Sequence, residues 1–245
     1  MRLLLPFLLF CVTALGQQSQ DNILVYTRNG KGYVHDNIAD SVAAIKKMGA
    51  ANDFNVEVTD DPGQFTDTNL KRYKAVVFSN TNNEAFTDDS QRDSFKRYIE
   101  SGGGFVGIHS ASGSERNWPY FWSVIGGKFL YHPKLQKFTV RVVDAEHPAT
   151  KHLPAAFQWE DECYHLEFMN PDIHALLVTD PAKLQNPDRA KHPFELVGAS
   201  LPLSWTLRSG GGRRFYTALG HKKEHYSNPL LYQHILGGLL WVIRR

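Results

Sequence analysis

The chain has 245 residues, with 27 Lys and Arg against 25 Asp and Glu and a formal charge of +2. Charge so balanced, without basic or acidic blocks, argues against a nucleic-acid surface or a charged interaction tail. Only two cysteines are present, Cys11 and Cys163. That excludes a disulfide framework, so stability must come from a packed core, which a chain of this length can bury.

Met1-Arg2 and the apolar run Leu3 to Leu15, closed by Ala14-Leu15-Gly16, read as a secretory signal peptide over residues 1–16, cleaved near Gly16 or Gln17. The run is too short to span a membrane. Phe10 before Cys11 is too bulky for the usual lipid-attachment site. The expectation is a secreted chain, extracellular or periplasmic, with no membrane span and one domain over residues 21–245. Cys163 is then its sole cysteine.

Short apolar, β-branched runs alternate with helical patterns, which predicts an α/β fold with a mainly parallel sheet covered by helices. Ile23 to Thr27 is a first strand and Arg28 to Val34 a Gly-containing loop. From Asp36 the stripe Ile38, Val42, Ile45, Met48 predicts a helix that stops at Gly49. Phe54 to Thr59 is a second strand. Ala75 to Ser79 is a third, apolar or small throughout and so covered on both faces. A helix over Asp88 to Ser101 buries Phe95, Tyr98 and Ile99 and ends at the Gly102–Gly104 run, and Phe105 to Ile108 is a fourth buried strand.

The second half is less regular. Trp118 to Val124 reads as a helix and Phe138 to Val143 as a half-exposed strand. Ala175 to Thr179 and Phe194 to Ala199 read as further strands, with an exposed loop from Lys183 to His192 between them. Ser204 to Leu207 and Arg213 to Ala218 form a hairpin about Gly210-Gly211-Gly212. A last helix over Asn228 to Ile243 turns Leu231, Ile235, Leu239 and Val242 inward.

In an open parallel sheet, ligands collect beyond the carboxyl ends of the strands. His35 follows the first strand, His109 and Ser110 the fourth, and His221 the hairpin strand. Parallel topology brings these ends to one rim. Asn80 and Asn82 follow the third strand and Arg28 the first. His35 could instead cap its helix with Asp36. His147, His152, His174, His192, His225 and His234 read as surface or loop residues. In QWEDECYHLEF, Glu162 or a neighbouring acid beside Trp159 and Tyr164 could serve as general acid or base. Of Tyr164 and His165, one faces the crevice.

Six segments, GYVHDNI, GGGFVGIHSA, GGKFLYHPKLQ with His132, DAEHPATKHLP, WEDECYHLEF and PLSWTLRSGGGRRFYTALGH, resemble the trehalose-utilisation, or ThuA-like, family from about Ile23 to the C-terminus. The resemblance implies a three-layer αβα sandwich of the class I glutamine amidotransferase-like (flavodoxin-like) kind. In that fold the elbow after the fourth strand carries a cysteine nucleophile. Here it carries His109, and Cys163 sits among acids that oppose its thiolate, so glutamine amidotransferase activity is not expected. The resemblance also implies a small carbohydrate ligand, such as a glucoside, disaccharide or keto-sugar.

The expected function is a carbohydrate-active enzyme performing hydrolysis, elimination or isomerisation, with His109 and Glu162 moving protons and His35 and His221 orienting substrate. Arg28, Asn80, Ser110, His132, Tyr164 and Trp205 are the expected substrate contacts, with Trp118 and Trp205 as stacking aromatics. No cofactor is required by the sequence. His35, His109 and His221 with Glu162 would also suit zinc or another divalent metal. A saccharide-binding module without turnover, or a structural domain, stays open, as does oligomeric state.

Overall fold

The computed structural model describes residues 20–192, 200–209 and 211–244. The signal segment 1–16 and the strand expected over 194–199 lie outside them. The strands are β1 (Asp21–Tyr26), β2 (Phe54–Thr59), β3 (Ala75–Ser79), β4 (Gly104–Ile108), β5 (Lys128–Tyr131), β6 (Gln136–Val142), β7 (Ala156–Asp161), β8 (His165–Glu167), β9 (His174–Thr179), β10 (Leu201–Ser209) and β11 (Gly212–Thr217). The helices are α1 (Ile38–Ala51), α2 (Asp67–Leu70), α3 (Asp89–Glu100), α4 (Pro119–Ile125) and α5 (Pro229–Ile243).

Nine strands form one sheet in the order β2-β1-β3-β4-β11-β10-β9-β6-β7, and β5 pairs with β8 separately. From β2 to β11 every pairing is parallel. From β11 onward each is antiparallel. The sheet is therefore mixed, and the expected parallel character holds for its first five strands.

Period-2 alternation divides the buried side chains into two clusters. Ile23, Val25, Val77 and Val106 join Ile45 and Met48 of α1 and Leu231, Ile235 and Leu239 of α5. Leu24, Tyr26, Phe78 and Phe105 join Leu70 of α2, Phe95 and Ile99 of α3 and Phe121 of α4. Phe78 is fully buried and ringed by Tyr26, Phe65, Phe86, Phe95, Phe105 and Phe121 at centroid distances of 5.2 to 6.0 Å. Trp205 is core as well: it is fully buried, donates from Nε1 to Ile125 O at 2.8 Å and packs on Tyr216. This corrects its expected role as a substrate contact.

Helix α1 does not stop at Gly49 but runs on to Ala51. The glycine lies where a Cβ would come within 2.7 Å of Phe54 O and Val56, so it marks close packing on β2 rather than a helix end. Its N-cap is Asn37, and Asp36 instead pairs with Lys223. The segment 183–192 is mostly exposed, as expected, with short 3-10 turns at Pro181–Lys183 and Arg189–Lys191.

Candidate active site

His109 is the first residue after β4 and opens a 3-10 turn, His109–Gly113. Its φ of 51° is left-handed, a strained value for a residue with a side chain, held by the Tyr216 hydroxyl donating to His109 O at 2.8 Å. The imidazole is fully buried. Its Nδ1 lies 2.7 Å from Ala218 O. A carbonyl only accepts, so Nδ1 carries the proton and Nε2 presents its lone pair to the site.

Three groups converge on that lone pair. Tyr164 Oη donates to it at 3.0 Å, His35 Nε2 lies 3.2 Å away, and Glu162 Oε2 lies 3.6 Å away. His221 Nδ1 approaches the same Glu162 oxygen at 3.2 Å, off the line a hydrogen bond needs. His132 Nε2 stands 3.5 Å from Glu162 Oε1, while its Nδ1 donates to Pro133 O at 2.9 Å. One ligand atom from each of His35, His109, Glu162 and His221 lies within 4.8 Å of all the others.

Distant segments are tied together to make this possible. Asn37 Nδ2 donates to both Gly220 O and His221 O at 2.7 Å, locking the start of α1 to the turn after β11. Gly220, at φ 127°, makes that turn, where a Cβ would meet the Tyr226 hydroxyl at 2.8 Å. Asp161, at the end of β7, accepts from Gly220 N at 2.8 Å and His221 N at 3.2 Å.

The electrostatics follow from the packing. Burial works to raise the Glu162 carboxyl, but the imidazoles of His109, His221 and His132 that face it outweigh burial and hold the group well below the usual carboxylate range. The Glu162 carboxylate in turn raises His221. Burial, then His109, push His35 down to about 3, leaving it neutral. Burial, with Asp161 adding, pushes the Cys163 thiol up, so it is no nucleophile.

These groups face a cavity of about 330 Å³ lined by His35, His132, Glu162, Tyr164, His221, Ser110, Tyr33, Asn82, Gly113, Arg116 and Phe129. His109 sits behind this lining, not in it. Ser110 keeps its expected place, with a buried Oγ that has no hydrogen-bond partner among the described residues. Asn80 does not: at φ 54° its amide turns to Tyr226 Oη, donating at 2.9 Å and accepting at 3.1 Å. Asn82 lines the cavity instead. Arg28 is likewise outside the lining, and Arg116 is the cavity's guanidinium, fixed by Gly113 O, Asn82 Oδ1 and the Phe129 ring.

Trp118 packs on Phe86 and Phe121, so the cavity's aromatics are Tyr33, Phe129 and Tyr164. Tyr164 faces the crevice and His165 stacks on Tyr131. Of the histidines set aside as surface residues, His147, His225 and His234 are buried. Asn82 is the one of the expected strand-end asparagines that lines the cavity, while Asn37, Arg116 and Phe129 were missed. Only Asn37 carried a signal, two residues after His35 in GYVHDN.

Fold and site together define an α/β protein with an imidazole–carboxylate cluster at the carboxyl rim of its parallel strands. The chain belongs to the ThuA family, described as trehalose utilisation, whose model matches residues 22–242. It is similar to a candidate ThuA-like protein of Bacteroides uniformis at 24% identity and TM-score 0.73, over 96% of each chain. A second, from Parabacteroides merdae, shares 20% identity at TM-score 0.68, over 93% of this chain and 91% of the other. A GMP synthase component of Thermoplasma acidophilum, itself a candidate assignment, aligns at 12% identity and TM-score 0.52, over 91% and 96% of the two chains. At these identities the structures show a shared fold. No curated protein matched the chain.

Proposed function

We propose that the protein is a secreted carbohydrate-active enzyme whose reacting centre is the cavity bordered by Glu162 and His221. The observation that carries this is the meeting of one ionised carboxylate and several imidazoles on a cavity of about 330 Å³, a volume that takes a small ligand. The family's description, trehalose utilisation, supports a glucoside, disaccharide or keto-sugar as ligand. Export is supported by the N-terminal segment 1–16. The frame is a single domain over residues 21–245, read as a three-layer αβα sandwich of the glutamine amidotransferase-like kind. Packing of α1 and α5 in one cluster and α2 to α4 in the other supports that frame.

Hydrolysis, elimination and isomerisation of a sugar each require a proton moved at an oxygen or carbon. Glu162, kept ionised, is suited to accept it, and His221, raised by Glu162, to deliver it. His109, behind the lining, positions Glu162 and His35 rather than touching substrate. Asn82, Arg116 and His132 are placed to bond hydroxyl or keto oxygens, and Tyr33 and Phe129 to cover a sugar face.

Trehalose, other glucosides and their keto derivatives, incubated with the purified protein and followed by NMR, test the reading. At least one should be converted, and Glu162→Gln should slow that conversion by about 100-fold or more while changing KM little. Unchanged turnover in Glu162→Gln would refute the role of the carboxylate. Tight binding of a sugar by calorimetry with no product would make the protein a binding module instead.

A further inference from the structure

We propose that His35, His109, Glu162 and His221 together bind a single divalent transition-metal cation, with zinc the best match to three nitrogens and one oxygen. The inference rests on reading this cluster as the reacting centre and names the group around which it is built: with a cation held, Glu162 and His221 would serve as its ligands, and the cation would supply the acid–base chemistry through a bound water in place of direct proton transfer by those two side chains.

The argument is first geometric. A tetrahedral cation with ligands at about 2.0–2.1 Å sets its donor atoms about 3.3–3.4 Å apart. Three donor–donor separations here bracket that edge length closely: 3.2 Å between His35 and His109, 3.6 Å between His109 and Glu162, and 3.2 Å between Glu162 and His221. No separation among the four exceeds 4.8 Å. A cation therefore needs only small side-chain rotations to enter.

The chemistry of the donors agrees. His109 Nδ1 is committed to Ala218 O, which fixes the tautomer and aims the Nε2 lone pair inward, as the outer hydrogen bond of a metal-bound imidazole does. That one lone pair is approached by both Tyr164 Oη and His35 Nε2, and it satisfies one of them as a hydrogen-bond acceptor. His221 Nδ1 is buried and aimed at Glu162 with no hydrogen bond to it. A cation satisfies these lone pairs at once. His35, Glu162 and His221 also border the cavity, so a bound cation would face the sugar and could polarise a hydroxyl or keto oxygen.

The full-length mature protein, stripped with a chelator and dialysed, should take up one equivalent of Zn²⁺ in calorimetry, with a rise in Tm. His109→Ala and the near-isosteric Glu162→Gln should each weaken Zn²⁺ affinity by about 100-fold or more. Circular dichroism separates loss of binding from loss of fold. His174→Ala, which removes an exposed imidazole away from the cluster, should leave the affinity unchanged. Binding well below one equivalent, or stoichiometric binding that survives both cluster substitutions, would overturn the proposal. Sugar turnover undiminished in chelator-treated protein would remove the cation while leaving the enzyme reading intact. One equivalent of zinc lost in both variants, with no sugar converted, would do the reverse.

Discussion

Asp161 is fully buried and accepts four hydrogen bonds: from Trp159 Nε1 at 2.9 Å, Glu162 N at 2.9 Å, Gly220 N at 2.8 Å and His221 N at 3.2 Å. It does not line the cavity, yet it sets the backbone of both Glu162 and His221, which do. Asp161→Ala strands four donors in a dry environment and should cost about 3–5 kcal/mol, read as a lowered midpoint of urea unfolding. A loss under about 1 kcal/mol would mean that water or a rearranged neighbour replaces the carboxylate. At this scale the sequence was partly legible. His35, His109 and His221 could be found because each follows a strand end. Asn80 was misplaced because its left-handed backbone turns the side chain away, and residue type does not announce that. Asp161 was one of three adjacent acids, Glu160, Asp161 and Glu162, and only the fold tells which is buried.

The elements that read clearly were those with a strong apolar period. Strands β2, β3 and β4 and helices α3 and α5 fall within a few residues of their expected places. Strand β7, AFQWED, mixes polar and apolar residues at a sheet edge, and β5 and β8 are short, so none carried a readable pattern. Glycine inside a helix was also ambiguous. At Gly49 it was read as a stop, and in α5 Gly237 shows the same physics. A Cβ there would meet Pro148 O at 2.2 Å and Ala149 Cα at 2.7 Å. Alanine in a helix interior normally gains about 1 kcal/mol over glycine. Gly237→Ala should instead lose about 1–3 kcal/mol, because the obstruction is backbone and cannot rotate aside. Thermal unfolding that shows stabilisation would mean that the 148–149 segment yields.

Across the whole molecule, buried neutral histidines set the response to acid. Burial pushes His234 down to about 3, and its Nδ1 donates to Ala149 O at 2.7 Å. The unfolded chain takes up a proton below about pH 6.5 whereas the native imidazole stays neutral, so this contribution is complete above that pH and is lost as pH falls toward 3. From about pH 7 to 5 it amounts to about 2 kcal/mol. His234→Gln should therefore start less stable near neutrality but lose less between those two conditions, measured by urea unfolding at each. Parallel losses in both proteins would assign the acid sensitivity elsewhere. The strand order has a consequence for biosynthesis. Strand β4 is hydrogen-bonded on one side by β3 and on the other by β11, whose residues are translated more than a hundred positions later. Until the ribosome has released Gly212–Thr217, the growing polypeptide carries an open and wholly apolar strand margin, a template for pairing with other nascent chains. Products ending before residue 212 should consequently accumulate as insoluble aggregates when expressed.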